Sequence, residues 1–139
     1  MGIGGVMESK PAIWLIASKE TGKHIHGIFS EARLINPIKL IENETELAAV
    51  LQPGSLEPRL VLLDINLPDG TAWRSVQLLV ERRLESRLIA LVDTGSEALL
   101  DRAYGSGIKT YLRKGFSFPD FLERARALDL RFVLGSDRW

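Results

Sequence analysis

The apolar positions of this chain fall into five short runs, separated by stretches whose apolar residues recur every three or four places. The most informative run is RLVLLDINLPDG, residues 59–70. Leu60, Val61, Leu62 and Leu63 lead to a single carboxylate, Asp64, and Pro68, Asp69 and Gly70 then demand a turn. An uninterrupted apolar run of this length suits a strand covered on both faces, as in a parallel sheet. Residues 12–17 (AIWLIA), 38–42 after Pro37, 88–92 (LIALV) and 108–113 (IKTYLR) predict four more strands. The intervening stretches read as helices. Ile25, Ile28, Phe29 and Ala32 mark the first. Leu47, Val50 and Leu51 mark the second, after a capping pair at Asn43 and Glu46 and before Pro53 and Gly54. Trp73, Val76, Gln77 and Val80, with Leu79 beside them, predict one face of a third. Thr94 and Glu97 predict a cap for EALLDRAY, which Gly105 and Gly107 end. Ser117, Pro119 and Asp120 open a last helix striped with Phe121, Leu122, Ala125 and Leu128. Strands alternating with helices in this way predict a parallel sheet with helices on both faces. Right-handed crossovers then favour a flavodoxin-like (βα)5 three-layer sandwich with strand order 2-1-3-4-5.

Composition narrows the function. The 139 residues fit one domain with a real core, and Lys plus Arg equals Asp plus Glu at 18 each. A balanced chain has no broad cationic footprint for nucleic acid or an anionic membrane. Cysteine is absent, which excludes disulfides and thiolate chemistry. No apolar run approaches the roughly 20 residues of a membrane helix, and the glycine-rich start has no signal-peptide core, so a cytoplasmic protein is expected. Residues 1–10 read as a flexible leader with a second start at Met7, residues 11–130 as the domain, and residues 131–139 as a tail. His24 and His26 are two apart and point to different faces of a helix, which disfavours a metal pair. Arg82, Arg83 and Arg87 form a small basic end that suits a helix C-terminus.

Open α/β sheets place their chemistry at strand carboxyl ends, so Asp64 is the first site candidate. With VLLDINLPDG centred on Asp64 and GIKTYLRKGF centred on Lys114, residues 11–130 resemble a response-regulator receiver domain of two-component signalling. The resemblance implies that Asp64 is the phosphoacceptor for a histidine kinase. It implies that Lys114 pairs with Asp64 and later with phosphoryl oxygens, and that Tyr111 is an aromatic switch residue. Three positions depart from the family pattern. Ala17 and Ser18 stand where the family has two adjacent acids that hold Mg²⁺. Val92 stands at the expected switch position of a threonine or serine. Gly115 replaces a proline.

Mg²⁺ is usually fixed by one or two carboxylates in near-octahedral geometry. With the acid pair gone, the expectation is no cofactor and weak or absent Mg²⁺ binding, with Asp64 and Lys114 balancing each other's charge. Lys19 at the pocket mouth is a second anion-pairing candidate, offset by Asp93 if the two pair. The resulting reading is an atypical receiver, not an enzyme, that acts by binding a protein such as a histidine kinase or an output protein. The fourth helix, fifth strand and fifth helix are the expected surface, also for a homodimer, with Tyr104, Tyr111, Leu112 and Phe121 near it. One alternative is slow but genuine phosphorylation of Asp64. Another class is a nucleotide- or flavin-binding protein, from residues 17–24 (ASKETGKH), which lack a phosphate loop's first glycine and final hydroxyl.

Overall fold

The computed structural model of the chain describes residues 12–128. The leader, residues 1–10, the tail, residues 131–139, and both ends of the expected domain lie outside the described residues. Five parallel strands run in the order 2-1-3-4-5: β1 (Ile13–Ile16), β2 (Ile38–Ile41), β3 (Leu60–Asp64), β4 (Leu88–Val92) and β5 (Thr110–Arg113). The helices between and after them are α1 (Lys19–Glu31), α2 (Glu44–Val50), α3 (Thr71–Glu81), α4 (Leu99–Gly105) and α5 (Phe118–Ala127). A short 3-10 turn, Glu85–Arg87, leads into β4. Fold class and strand order are those the apolar pattern predicts.

The sheet is buried on both sides, which is why its strands read as continuous apolar runs. Alternation along each strand sends side chains to two cores. Ile13, Leu15, Leu60, Leu62, Ile89, Leu91 and Leu112 pack with α1 and α5 through Ile25, Phe29, Phe121 and Ala125. Trp14, Ile16, Val61, Leu63, Ala90 and Val92 pack with α2, α3 and α4 through Leu47, Val76 and Ala103. Phe29 and Phe121 lie 4.7 Å apart, ring centre to ring centre, and lock α1 to α5. Gly22 lets α1 approach β2, because a Cβ there would lie 2.9 Å from Leu40 Cδ1.

Two details differ from expectation. The buried face of α3 is Ala72, Ser75, Val76 and Leu79, so Val80 and Gln77 face solvent. The hydrophobic stripe is rotated by one residue because Ala72 and Ser75 are small enough to sit against the sheet. The Thr94–Glu97 capping box does not form. The first residue before α4 is Ala98, which makes no side-chain cap, and Glu97 turns back to accept from the Gly95 amide. At α2 the Asn43 side chain accepts the Glu46 amide, but Glu46 accepts from the Glu42 amide rather than from that of Asn43; a complete box forms at Ser117/Asp120.

Leu62 and Ile89 are fully buried neighbours in the central strands. Replacing either with alanine is expected to cost about 2–5 kcal/mol of stability in urea melts. A loss under about 0.5 kcal/mol would be incompatible with this packing.

Candidate functional site

Three charged side chains meet at the carboxyl edge of the sheet, and strand alternation explains why. Asp64 follows Leu60 and Leu62 on the α1/α5 face. Asp93 follows Ile89 and Leu91, and Lys114 follows Leu112, on the same face. Lys114 Nζ lies 2.8 Å from Asp64 Oδ2 and 2.8 Å from Asp93 Oδ1. The Asp64 carboxylate is nearly enclosed, at 5% side-chain exposure, and Lys114 is at 22%. Asp64 Oδ1 accepts the Asn66 amide at 2.8 Å. Asn66 Oδ1 accepts the Asp93 amide at 2.8 Å. The Lys114 amide donates to the Val92 carbonyl at 2.9 Å. One ammonium and one amide side chain thereby join the ends of β3, β4 and β5.

Burial of Lys114 works against its charge, but hydrogen bonds and Coulombic attraction from Asp64 and Asp93 outweigh it. Its pKa is raised above the ordinary lysine value. Two carboxylates share this ammonium, leaving the cluster with a net negative charge rather than the balance expected from Asp64 and Lys114 alone.

Several expectations are corrected here. Asp93 pairs with Lys114, not with Lys19. Among the described residues no ion pair joins exposed Lys19, the first residue of α1, to Asp93 or Asp64. Val92 is not the switch position. It is buried on the α2–α4 side of the sheet, so the residue that faces Asp64 from the end of β4 is Asp93. Where the resemblance expects a hydroxyl near Asp64, the structure places the Asp93 carboxylate. Leu112 and Phe121 belong to the core, at 3% and 0% exposure, and are not surface residues. Tyr104 is exposed. Tyr111 is half-buried; its carbonyl accepts from Arg124 Nε, and the Arg113 guanidinium lies 5.7 Å from its ring centre.

The end of β1 stands beside β3 as the sequence implies. Ile16 pairs with Leu63, so Ala17 comes level with Asp64. Ala17 is fully buried and Ser18 caps α1, its Oγ accepting the Thr21 amide at 3.2 Å. The carboxylates nearby are committed: Asp64 and Asp93 both hold Lys114. Among the described residues no group of three or more His, Cys, Asp or Glu is placed to hold a metal. Asp64 and Asp93 are thus the two carboxylates at this edge that a Mg²⁺ ion would have to share with Lys114. The Ala17–His24 stretch offers no phosphate loop either, because α1 begins at Lys19 and Gly22 is packed under Leu40. Gly115 has φ +87°, a conformation closed to proline, so the turn after Lys114 takes a path that a proline could not follow.

The sequence marks Asn66 beside Asp64 for its carbonyl, but neither its side-chain bond to the Asp93 amide nor the Arg113–Glu97 pair is legible there. Arg113 Nε holds Glu97 Oε2 at 2.8 Å. The hydrogen bond from Arg113 is the main reason that the Glu97 carboxyl is lowered below the usual range. As an exposed pair it adds little stability but ties the loop after β4 to β5. The acid directly after an apolar strand was the one available pointer to Asp93.

No family model matches the chain. It is 31% identical over 81 residues to the KDP operon transcriptional regulatory protein KdpE of Escherichia coli, matching 50% of this chain and 36% of that protein. The chain thus spans little over a third of the curated relative's length. The bacteriophytochrome response regulator AtBRR superposes with a TM-score of 0.73 at 21% identity, over 92% of this chain and 98% of the other. The N-terminal signal receiver domain of a two-component response regulator from Bacteroides fragilis gives 0.66 at 15% identity, over 84% and 93%. The fold is that of response-regulator receiver domains.

Removing the shared ammonium should be costly. Lys114→Met leaves Asp64 and Asp93 unpaired beside each other and is expected to lose about 1–3 kcal/mol at neutral pH, discounted for partial exposure. Since the folded-state lysine pKa is raised, its contribution is fully present below the ordinary value of 10.5. It disappears as pH rises through the higher folded value. Urea melts of wild type and variant should therefore show a constant gap from neutral pH to about 9.5, closing above about 10.5.

Proposed function

We propose that this chain is a receiver-type signalling module of a two-component system that works by docking onto a protein partner, with Mg²⁺-dependent phosphorylation weak or absent. The observation that carries the reading is the Asp64–Lys114–Asp93 bridge, set beside a β1 end that supplies only Ala17 and Ser18. Asp64 and Lys114 keep the places that the receiver resemblance assigns to the phosphoacceptor and its pairing lysine. Asp93 occupies the place of the hydroxyl that would bond a phosphoryl group. A phosphoryl dianion on Asp64 would meet that carboxylate, and like charges about 4 Å apart repel by roughly 4 kcal/mol per charge pair at an effective dielectric near 20, before solvation is counted. Lys114 is already shared, and both carboxylates of the cluster are engaged with it.

The module is not an enzyme in this reading and needs no cofactor. Its partner is a histidine kinase or an output protein, with Tyr104 and half-buried Tyr111 on the α4–β5–α5 surface, which also suits a homodimer. Such a module works in the cytoplasm; no helix among the described residues is long and apolar enough to cross a membrane. The intact Asp64–Lys114 pair favours a second reading, slow acceptance of a phosphoryl group at Asp64.

Incubation with acetyl phosphate and Mg²⁺, followed by intact-mass measurement, separates the two readings. The wild type is expected to gain little or no phosphoryl mass and to give no binding heat at about 1 mM Mg²⁺. Ala17→Asp with Ser18→Asp places carboxylates level with Asp64, so Mg²⁺ should bind this variant and raise its melting temperature. Adding Asp93→Thr removes the like charge and supplies a hydroxyl, and should raise phosphoryl labelling more than metal affinity. Millimolar or tighter Mg²⁺ binding by the wild type, abolished by Asp64→Asn, would overturn the weak-metal reading and leave the phosphoacceptor standing.

A further inference from the structure

The opposite edge of the sheet carries a groove that the signalling site does not use. Its main hollow, of about 740 Å³, lies on the α2 side, between the amino end of β1, edge strand β2 and the loop from α2 to β3. Trp14 and Val50 line it, and Leu56 stands at its rim with 91% of its surface exposed. Two smaller hollows continue it. One shares Trp14, Val50 and Leu56 and runs to Arg82 past the end of α3. The other shares Lys39 and Val50 and runs along β2. A leucine this exposed beside an apolar trough costs free energy unless something covers it.

The charges around the groove say what would cover it. Lys39, Arg59 and Arg87 line the main hollow, and Arg82 lines the next. Of the acids, Glu57 is held by Arg87 at 3.3 Å, and Glu46 accepts the Glu42 amide at 2.8 Å. Arg87 also donates to the Pro58 carbonyl at 2.8 Å, which fixes the loop that carries Leu56. Among the described residues Lys39, Arg59 and Arg82 have no ion-pair partner. Of the basic residues at and after the end of α3, Arg82, its C-cap residue, and Arg87 line this groove.

We propose that this groove binds an extended acidic peptide segment of a partner protein, with a large apolar side chain seated against Trp14, Val50 and Leu56. Acidic residues on either side of that anchor would meet Lys39 and Arg59 near the main hollow and Arg82 in the next. The cations stand in different hollows, which suits a strand of chain rather than a compact anion. Trp14 is 4% exposed and lies flush in the floor, so it offers no face on which a nucleic-acid base could stack. Apolar anchoring supplies affinity here, and the cations supply orientation and salt dependence.

The test is a ¹⁵N NMR titration with a short synthetic peptide of Glu and Asp around a central Leu-Phe, against a control with Lys at every acidic position. Shifts are expected at Trp14, Val50, Leu56 and Arg59, with a Kd of about 10–500 µM at low salt. Affinity should fall as salt rises, because the charges are exposed. Lys39→Glu with Arg59→Glu should weaken binding about tenfold while the spectrum remains that of a folded protein. Leu56→Asp, at a fully exposed position, should do the same without touching the core. No shifts at about 1 mM peptide, equal binding of the lysine control, unchanged affinity in both variants, or shifts confined to Asp64 and its neighbours would each overturn the proposal.

Discussion

A single ammonium group serves two carboxylates at the carboxyl edge of this sheet. Asp64 is almost completely buried, and Lys114 and the Asn66 amide supply the partners that water would otherwise offer. The same Lys114 holds Asp93, whose own amide is held by Asn66. Three strand ends thus share one network, and removing Lys114 would leave both carboxylates without their cation. The next residue along β5 adds to the effect. Arg113 points to the other side of the sheet and grips Glu97, so consecutive basic residues hold the loop after β4 from both faces.

In the proposed reading, this arrangement changes what the pocket is for. A site built to exchange a phosphoryl group leaves its cation partly free and surrounds the acceptor acid with metal-binding oxygens. Here the cation is occupied by an internal acid, and the neighbouring strand presents a buried methyl group at Ala17. The network is complete without a ligand.

Much of this was legible in the sequence, for physical reasons that also mark where legibility stopped. Continuous apolar runs can only be strands buried twice over, so the sheet and its order followed. Asp64 and Lys114 end two such runs, and their meeting required only the parallel topology. Placing Val92 at the switch position failed because apolar runs do not reveal parity: when every residue of a strand is buried, the last one can face either side. Asp93 was seen but paired with Lys19 by proximity along the imagined edge, whereas alternation sends it to Lys114. Leu112 and Phe121 read as surface residues only because the α5 stripe and the β5 face that cover each other were considered one at a time. Asn66 and Glu97 act through loop backbone amides, which no side-chain pattern encodes.

Parity also separates the two edges of the molecule. The residues that send Asp64, Asp93 and Lys114 to the α1/α5 face send Trp14 to the other face. The groove around Trp14 therefore opens at the opposite end of the strands and on the opposite side of the sheet from the charged network. Between them lies the close-packed interior of β1 and β3, in which Ile16, Val61 and Leu63 are fully buried. An occupant of the groove would not contact the Lys114 network directly across this close-packed interior. Only a movement of β1 as a unit, carrying Trp14 at one end and Ala17 beside Asp64 at the other, could make the two edges sense each other. In this fold, then, the two edges are distinct surfaces, one closed by its own charges and one that, among the described residues, leaves Leu56 uncovered.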